Sequence, residues 1–420
     1  MWSNIHIRGQ GLAVLTEQLE LCPKTPLFVL IKVPPQNAAK LGLRENIQGA
    51  VNLILQRRDQ VKRLEVHIDC QTLREQFCCK WSELKELVWV DTCPHRSSVH
   101  GVSSKSPALG QLPMLKILSI EGCFDWAINI ATRLTIFKLK GPIRLELPTL
   151  IEFFRRNVSL ESLELTNLDV QRPSDCYRGE PIELPHLTKL SVRNATCGCM
   201  LSLLNLPSLN QLWVYSLGGR NPWSDYDWSK LCGRLSITNL EVQYGASTHE
   251  RITVAGSRGL DTQALRFTVF SPATQGVTLF RSFSYALLSS VTSISLIGNT
   301  PEGSVSSSLT AAICGLLEQL PRVERMRLYP SGLAVEVTRR LSESSELCPE
   351  LRELEATVTG EARARTIVEL LAKVAKARAG DGDGRKTRKV ECLRPAGSQR
   401  SGEVRMRAVW GRLWGRETFG

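Results

Sequence analysis

Apolar residues recur along this chain in the order apolar-x-x-apolar-x-apolar, with mostly polar side chains in the gaps, and the phrase returns after about 27 residues. It starts at Trp2, Phe28, Val61, Leu84, Leu115, Leu134, Leu160, Leu187, Leu209, Ile237, Ala264, Val291, Val323 and Leu351; Trp2, Phe28, Ala264 and Leu351 fit least well. With 42% hydrophobic residues, shuffling alone would put such a phrase at about 7% of positions. The even spacing therefore carries the prediction. So does a second regularity: Leu112-Pro113, Leu184-Pro185, Leu206-Pro207, Leu320-Pro321 and Cys348-Pro349 each stand just before one of the phrases.

The alternation predicts a short strand in every phrase, apolar side chains inward, pairing in parallel with the strand one repeat away. Between phrases, 148–157, 308–320 and 364–377 show helical apolar spacing and predict returning helices. Proline cannot continue a helix and biases the residue before it toward extended backbone, so Leu-Pro is read as the stop that ends each returning helix. The ninth position of the repeat should be a small buried polar residue. Cys123 and Asn299 fit, whereas Leu168 and Ala195 depart from it. The fold predicted is α/β: an irregular leucine-rich-repeat solenoid, a horseshoe with a parallel concave sheet and helices on the convex face. It spans 1–376, with 1–60 as N-terminal capping repeats.

The formal charge of +12 changes this picture only at one end. From Leu371 onward there are thirteen Lys and Arg against five Asp and Glu. Together with the run Ala377–Lys389, this predicts a basic, flexible tail over 377–420. Lys386, Arg388, Lys389, Arg405 and Arg407, with Trp410 and Trp414, give an alternative function: nucleic-acid association through that tail.

Thirteen cysteines, an odd count without an export signal, predict reduced thiols and a cytoplasmic or nuclear protein. The sequons at Asn157 and Asn194 then carry no glycan. No apolar run is long enough to cross a bilayer, so no membrane partner is expected. Cys70, Cys78, Cys79, Cys93, His95 and His100 crowd together and Cys197 and Cys199 form C-x-C, but the paired spacing of a zinc site is absent; no metal and no cofactor are expected. Phosphate-loop, nucleophile-elbow, zinc-protease and kinase signatures are missing, so no catalytic residue is named and no enzyme is expected.

The phrases Phe153–Leu165 (FFRRNVSLESLEL) and Glu180–Val192 (EPIELPHLTKLSV), with the opening MWSNIHI, resemble the leucine-rich-repeat half of the F-box-like proteins of mushroom-forming fungi. The resemblance implies a non-catalytic adaptor that holds a target protein on its repeats. It also implies a ubiquitin-ligase scaffold as partner, but only if an upstream F-box exists, since this chain starts after the point where one should end.

If the ladder is right, the residues flanking each buried pair line the concave face. Counting places Trp213 and Tyr215 there, with Lys189 and Arg193 one repeat before, Glu164 two before, Glu241 one after, and Arg266 and Phe270 beyond. Aromatic side chains rimmed by both charges have the composition of a protein-binding hot spot. These eight residues are the predicted partner site of a monomer. The loop Gly218–Trp228, dense in aromatics, could instead cover Trp213.

Overall fold

The computed structural model describes residues 3–7, 12–32, 41–68, 77, 79–91, 112–122, 132–171, 180–195, 198–217, 235, 237–246, 250–258, 262–270, 288–299, 307–329, 332–359, 361–379, 389–393 and 403–409. The chain forms two units, Met1–Leu209 and Asn210–Gly420. This division differs from the predicted one at 376/377, which falls inside a continuous helix, Glu361–Ala379.

In the first unit, β1 (Ser3–Ile7), β2 (Leu27–Lys32), β3 (Val61–Ile68), β4 (Glu86–Asp91), β5 (Ile117–Glu121), β6 (Ile136–Glu146) and β7 (Ser162–Gln171) pair in parallel, each with the next. A strand at Lys189–Arg193 then follows β7. The repeat frame sets this order. All three apolar positions of the phrases that start at Val61, Leu84, Leu115, Leu134, Leu160 and Leu187 are at most 2% exposed. Each such side chain contributes about 1.5–3 kcal/mol by leaving water. A slip of one residue would expose the whole set, so burial locks the register. Backbone ties repeat as well: Lys116 N–H donates to the Lys85 carbonyl (2.9 Å), Thr135 to Lys116 (2.8 Å), Glu161 to Thr135 (2.8 Å) and Thr188 to Glu161 (2.9 Å).

Helices α1 (Leu12–Glu20), α2 (Leu41–Gln56) and α3 (Leu147–Arg156) make three of the returns. Pro148 opens α3, where a missing N–H costs nothing, and Phe153 on its buried side meets Phe137 of β6 with ring centroids 4.6 Å apart. Two other returns contain a short described strand. β8 (Ile182–Glu183) pairs in parallel with a strand at Leu204–Asn205, forming a small second sheet. The strand Lys189–Arg193 is β9, the turn Gly198–Leu201 is α4 and Leu204–Asn205 is β10.

Two expectations need correction here. Leu-Pro does not generally stop a helix. Leu115 N–H donates to the Leu112 carbonyl (3.2 Å), Leu187 to Leu184 (3.2 Å) and Leu209 to Leu206 (3.3 Å). Proline is thus the second residue of a β-turn, the place its fixed φ favours, and in two of the three the preceding element is β8 or β10. The second correction is the frame at Phe28. In β2 the buried residues are Leu27, Val29 and Ile31, while Phe28 is half-buried opposite Arg63. A strand apolar on both phases (LFVLI) leaves its frame ambiguous, and the register shifts between Leu27 and Phe28.

The second unit departs further from the sequence order. Its strands are β11 (Gln211–Leu217), β12 (Asn239–Ala246), β13 (Glu250–Arg258), β14 (Thr262–Phe270), β15 (Ser293–Asn299), β16 (Arg325–Leu328), β17 (Glu353–Thr359), β18 (Lys389–Leu393) and β19 (Glu403–Val409). In space they run β11, β14, β13, β12, β15, β16, β17, β19, β18. Three residues separate β12 from β13, and three separate β13 from β14. A parallel crossover needs a dozen or more, so the chain turns back twice and β13 is antiparallel to both neighbours. β14 therefore lies beside β11, and its frame is Leu265 opposite Leu212, two positions from the frame predicted at Ala264. The phrases at Ile237, Val291, Val323 and Leu351 keep their predicted frame, all buried. Helices α5 (Ser307–Glu318), α6 (Gly332–Glu343) and α7 (Glu361–Ala379) belong to the same unit.

The segment read as a flexible tail contains β18 and β19, an antiparallel hairpin on β17. Met406 and Ala408 enter the core, at 1% and 0% exposed. Their neighbours supply the charge: Arg407 pairs with Glu353 (2.8 Å) and Arg405 with Glu355, a carboxylate that Arg327 approaches at 3.7 Å. The Glu355 hydrogen bond holds the Arg405 guanidinium above its usual pKa. Two of the arginines assigned to nucleic acid are thereby paired with carboxylates of β17 on a strand of the sheet. Lys386, Arg388, Trp410 and Trp414 lie outside the described residues.

Candidate binding face

Strand alternation leaves one set of side chains on the face opposite the buried frame, and parallel register lines them up from strand to strand. In the first unit one row reads Leu30, Glu65, Val88, Ser119, Lys138, Glu164, Ser191 from β2 to β9. Another reads Lys32, His67, Val90, Glu121, Lys140, Thr166, Arg193, and a third reads Phe28, Arg63, Glu86, Ile117, Ile136, Ser162, Lys189.

Three of the predicted residues sit in these rows. Glu164 is half-buried, with its carboxylate 3.9 Å from Lys140 Nζ, while Lys189 and Arg193 are exposed. Carried back to the phrases at Val61, Leu84, Leu115 and Leu134, the counting rule finds the middle of the face.

That middle combines two kinds of surface. Val88, Val90, Ile117 and Ile136 form a half-buried apolar patch across β4, β5 and β6, with Ile117 directly opposite Ile136. To one side lies a charged cluster. Arg63 reaches Glu65 at 3.3 Å and Glu86 at 3.5 Å, and His67 Nε2 is 2.8 Å from Glu65. Burial alone would raise the Glu65 pKa; His67 and Arg63, through hydrogen bonds and charge, outweigh it and hold the carboxyl below its ordinary value. To the other side Lys138 and Lys140 face Ser119 and Glu121.

The remaining predicted residues belong to the second unit, in a different order from the one counted. Trp213 is opposite Arg266 and Tyr215 opposite Thr268. The Arg266 guanidinium lies over the Tyr215 ring at 5.9 Å, a cation–π distance. Trp213 is 37% exposed. Glu241, expected beside Trp213, is instead opposite Ala255 and Ser295 and accepts from Gln243 (2.5 Å). Phe270 is in register with Leu217. Beyond Arg266 the face closes: Thr253 and Thr268 are 2% and 1% exposed, with hydroxyls 3.3 Å apart. The loop 218–228 proposed as a cover lies outside the described residues, as do Cys70, Cys78, Cys93, His95 and His100.

Among the described residues no helix is long and apolar enough to cross a membrane, and no three His, Cys, Asp or Glu side chains gather as metal ligands. No family model and no curated protein matches the chain. Among solved structures, a chain of the complex described as "Crystal structure of TLR13-ssRNA13 complex" aligns with 81% of this chain at 16% identity and a TM-score of 0.31. The alignment takes in 43% of that chain's length, and at such a score the fold rests on the strand register itself.

Proposed function

We propose that this chain is a non-catalytic protein-binding module of leucine-rich-repeat type, an irregular solenoid whose partner protein sits on the outward face of the parallel sheet in the first unit. The supporting observation is the patch of Val88, Val90, Ile117 and Ile136 bordered by charge of both signs. Central apolar contacts that exclude water, with a charged rim that selects orientation, give a surface both affinity and choice of partner. The test is a photo-cross-linking residue placed at Ser119, between the patch and Lys138, and as control at Met114, 45% exposed on the turn before β5. Expressed in the native cell, the first should give a discrete protein adduct and the second should not. Equal patterns from both would contradict the reading.

The resemblance of Phe153–Leu165 and Glu180–Val192 to F-box-like proteins supports a finer version, the target-recognition half of a ubiquitin-ligase adaptor in the cytoplasm or nucleus. Co-purification of the complete gene product with a ubiquitin-ligase scaffold tests it, and a complete product that never associates with one would remove it. Absence of catalysis is part of the proposal; turnover by the purified chain in hydrolase or transferase assays, lost on substitution of a single residue, would overturn it.

A further inference from the structure

The second unit holds a groove of about 1050 Å³ between α5, α6 and the start of α7. One side of α5 supplies Ala311, Cys314 and Glu318, spaced at about one turn, and α6 supplies Glu336, Arg340 and Glu343 in the same way. Drug-sized ligands occupy roughly 300–1,000 Å³, so the groove is large enough for a segment of chain.

Its lining is acidic although the protein is strongly basic. Four carboxylates, Glu318, Glu336, Glu343 and Glu346, face two guanidiniums, Arg340 and Arg363. Arg340 is already engaged by Glu336 (3.5 Å) and Glu343 (3.8 Å), and Glu336 also holds Arg339 at 2.9 Å. Glu318 and Glu346 are exposed and make no ion pair among the described residues. Between the charges are the Ala311 methyl group, the buried Leu347 and the half-buried Cys314, whose thiol burial keeps protonated, so that it adds an uncharged surface.

We propose that this groove binds a short cationic peptide segment, with Lys or Arg side chains on Glu318 and Glu346 and an apolar side chain between Ala311, Cys314 and Leu347. Charge complementarity is local: a cationic peptide is repelled by the protein's net +12 and attracted to this groove, where carboxylates outnumber cations. The site is separate from the sheet face of the first unit and does not depend on it.

The test is fluorescence anisotropy of a labelled ten-residue peptide of alternating Arg and Leu, added to the intact protein. Saturable binding is expected, weakened at least tenfold by Glu318→Lys with Glu346→Lys and absent for the peptide with Glu in place of Arg. Both substituted positions are exposed, and circular dichroism checks that the fold is kept. Unchanged affinity in the charge-reversed protein would overturn the proposal. Competition by spermine at equal charge concentration as strong as by unlabelled peptide would overturn it too, since the groove would then recognise charge without a peptide. Neither result touches cross-linking at Ser119, so the two functional readings fail separately.

Discussion

Asn157 shows how much one side chain can hold in a repeat. It is fully buried where other repeats place Leu-Pro. Its carbonyl accepts from Leu160 N–H (3.1 Å), its Oδ1 accepts from Leu134 N–H (3.0 Å), and its Nδ2 donates to the Phe153 carbonyl (2.9 Å). It closes α3 and ties that helix to the preceding repeat. Asn157→Ala takes the side-chain acceptor from the buried Leu134 N–H and leaves the Phe153 carbonyl with only the residue's own backbone N–H, a loss of about 1–3 kcal/mol that denaturant unfolding should register. Gly141 is the second such point. Its φ is +126°, and an added Cβ would lie 2.7 Å from the Gly122 carbonyl oxygen. Gly141→Ala should cost more than about 1 kcal/mol, seen as a lowered melting temperature. Neither role was legible in the sequence: Asn157 read as a sequon and Gly141 as an unremarked glycine, because both act through backbone groups of a neighbouring repeat.

At the scale of elements, what the sequence revealed depended on whether periodicity alone decided the outcome. The helices α3, α5 and α7 were legible from apolar spacing, and most repeat frames from the L-x-x-L-x-L phrase, because burial of one face determines both. β13 was not legible, since the 27 residues from Ile237 to Ala264 matched one repeat while containing an extra strand. The C-terminal hairpin was missed because the basic residues were counted as a sum. Arg405 and Arg407 alternate with Met406 and Ala408 as a strand should, and Glu353 and Glu355 carry the matching alternation of opposite charge. Arg405→Glu with Arg407→Glu should detach β18 and β19, with amide exchange over 389–409 rising while the first unit keeps its protection. α7 is secured at its far end by Arg378, whose guanidinium donates to the carbonyls of Ser345 (2.7 Å), Cys348 (2.9 Å), Ser344 (3.3 Å) and Leu347. Burial pushes its pKa below the ordinary arginine value. Arg378→Ala should cost about 1.5–3 kcal/mol, and Arg378→Lys should recover only part of it, because an ammonium cannot reach four carbonyls in that fan.

For the molecule as a whole, the functional reading depends on rows of side chains that no single strand contains. Of the eight residues picked by counting, Glu164, Lys189 and Arg193 fall on the parallel face of the first unit. Trp213, Tyr215 and Arg266 form a separate cluster, which the reversed strand order of the second unit brings together, while Glu241 stands two strands away from Arg266. Counting works where each repeat is followed in space by the next, and fails where hairpins invert that order. The most direct test is therefore the register of the first unit. Spin labels inserted by genetic-code expansion at Glu65 and Ser191 lie in one row, five strand steps apart, and pulsed dipolar spectroscopy measures their separation. At about 4.8 Å per step, a single narrow distribution near ~24 Å is expected. A broad distribution, or one centred beyond ~35 Å, would contradict the parallel stack and the binding face built on it.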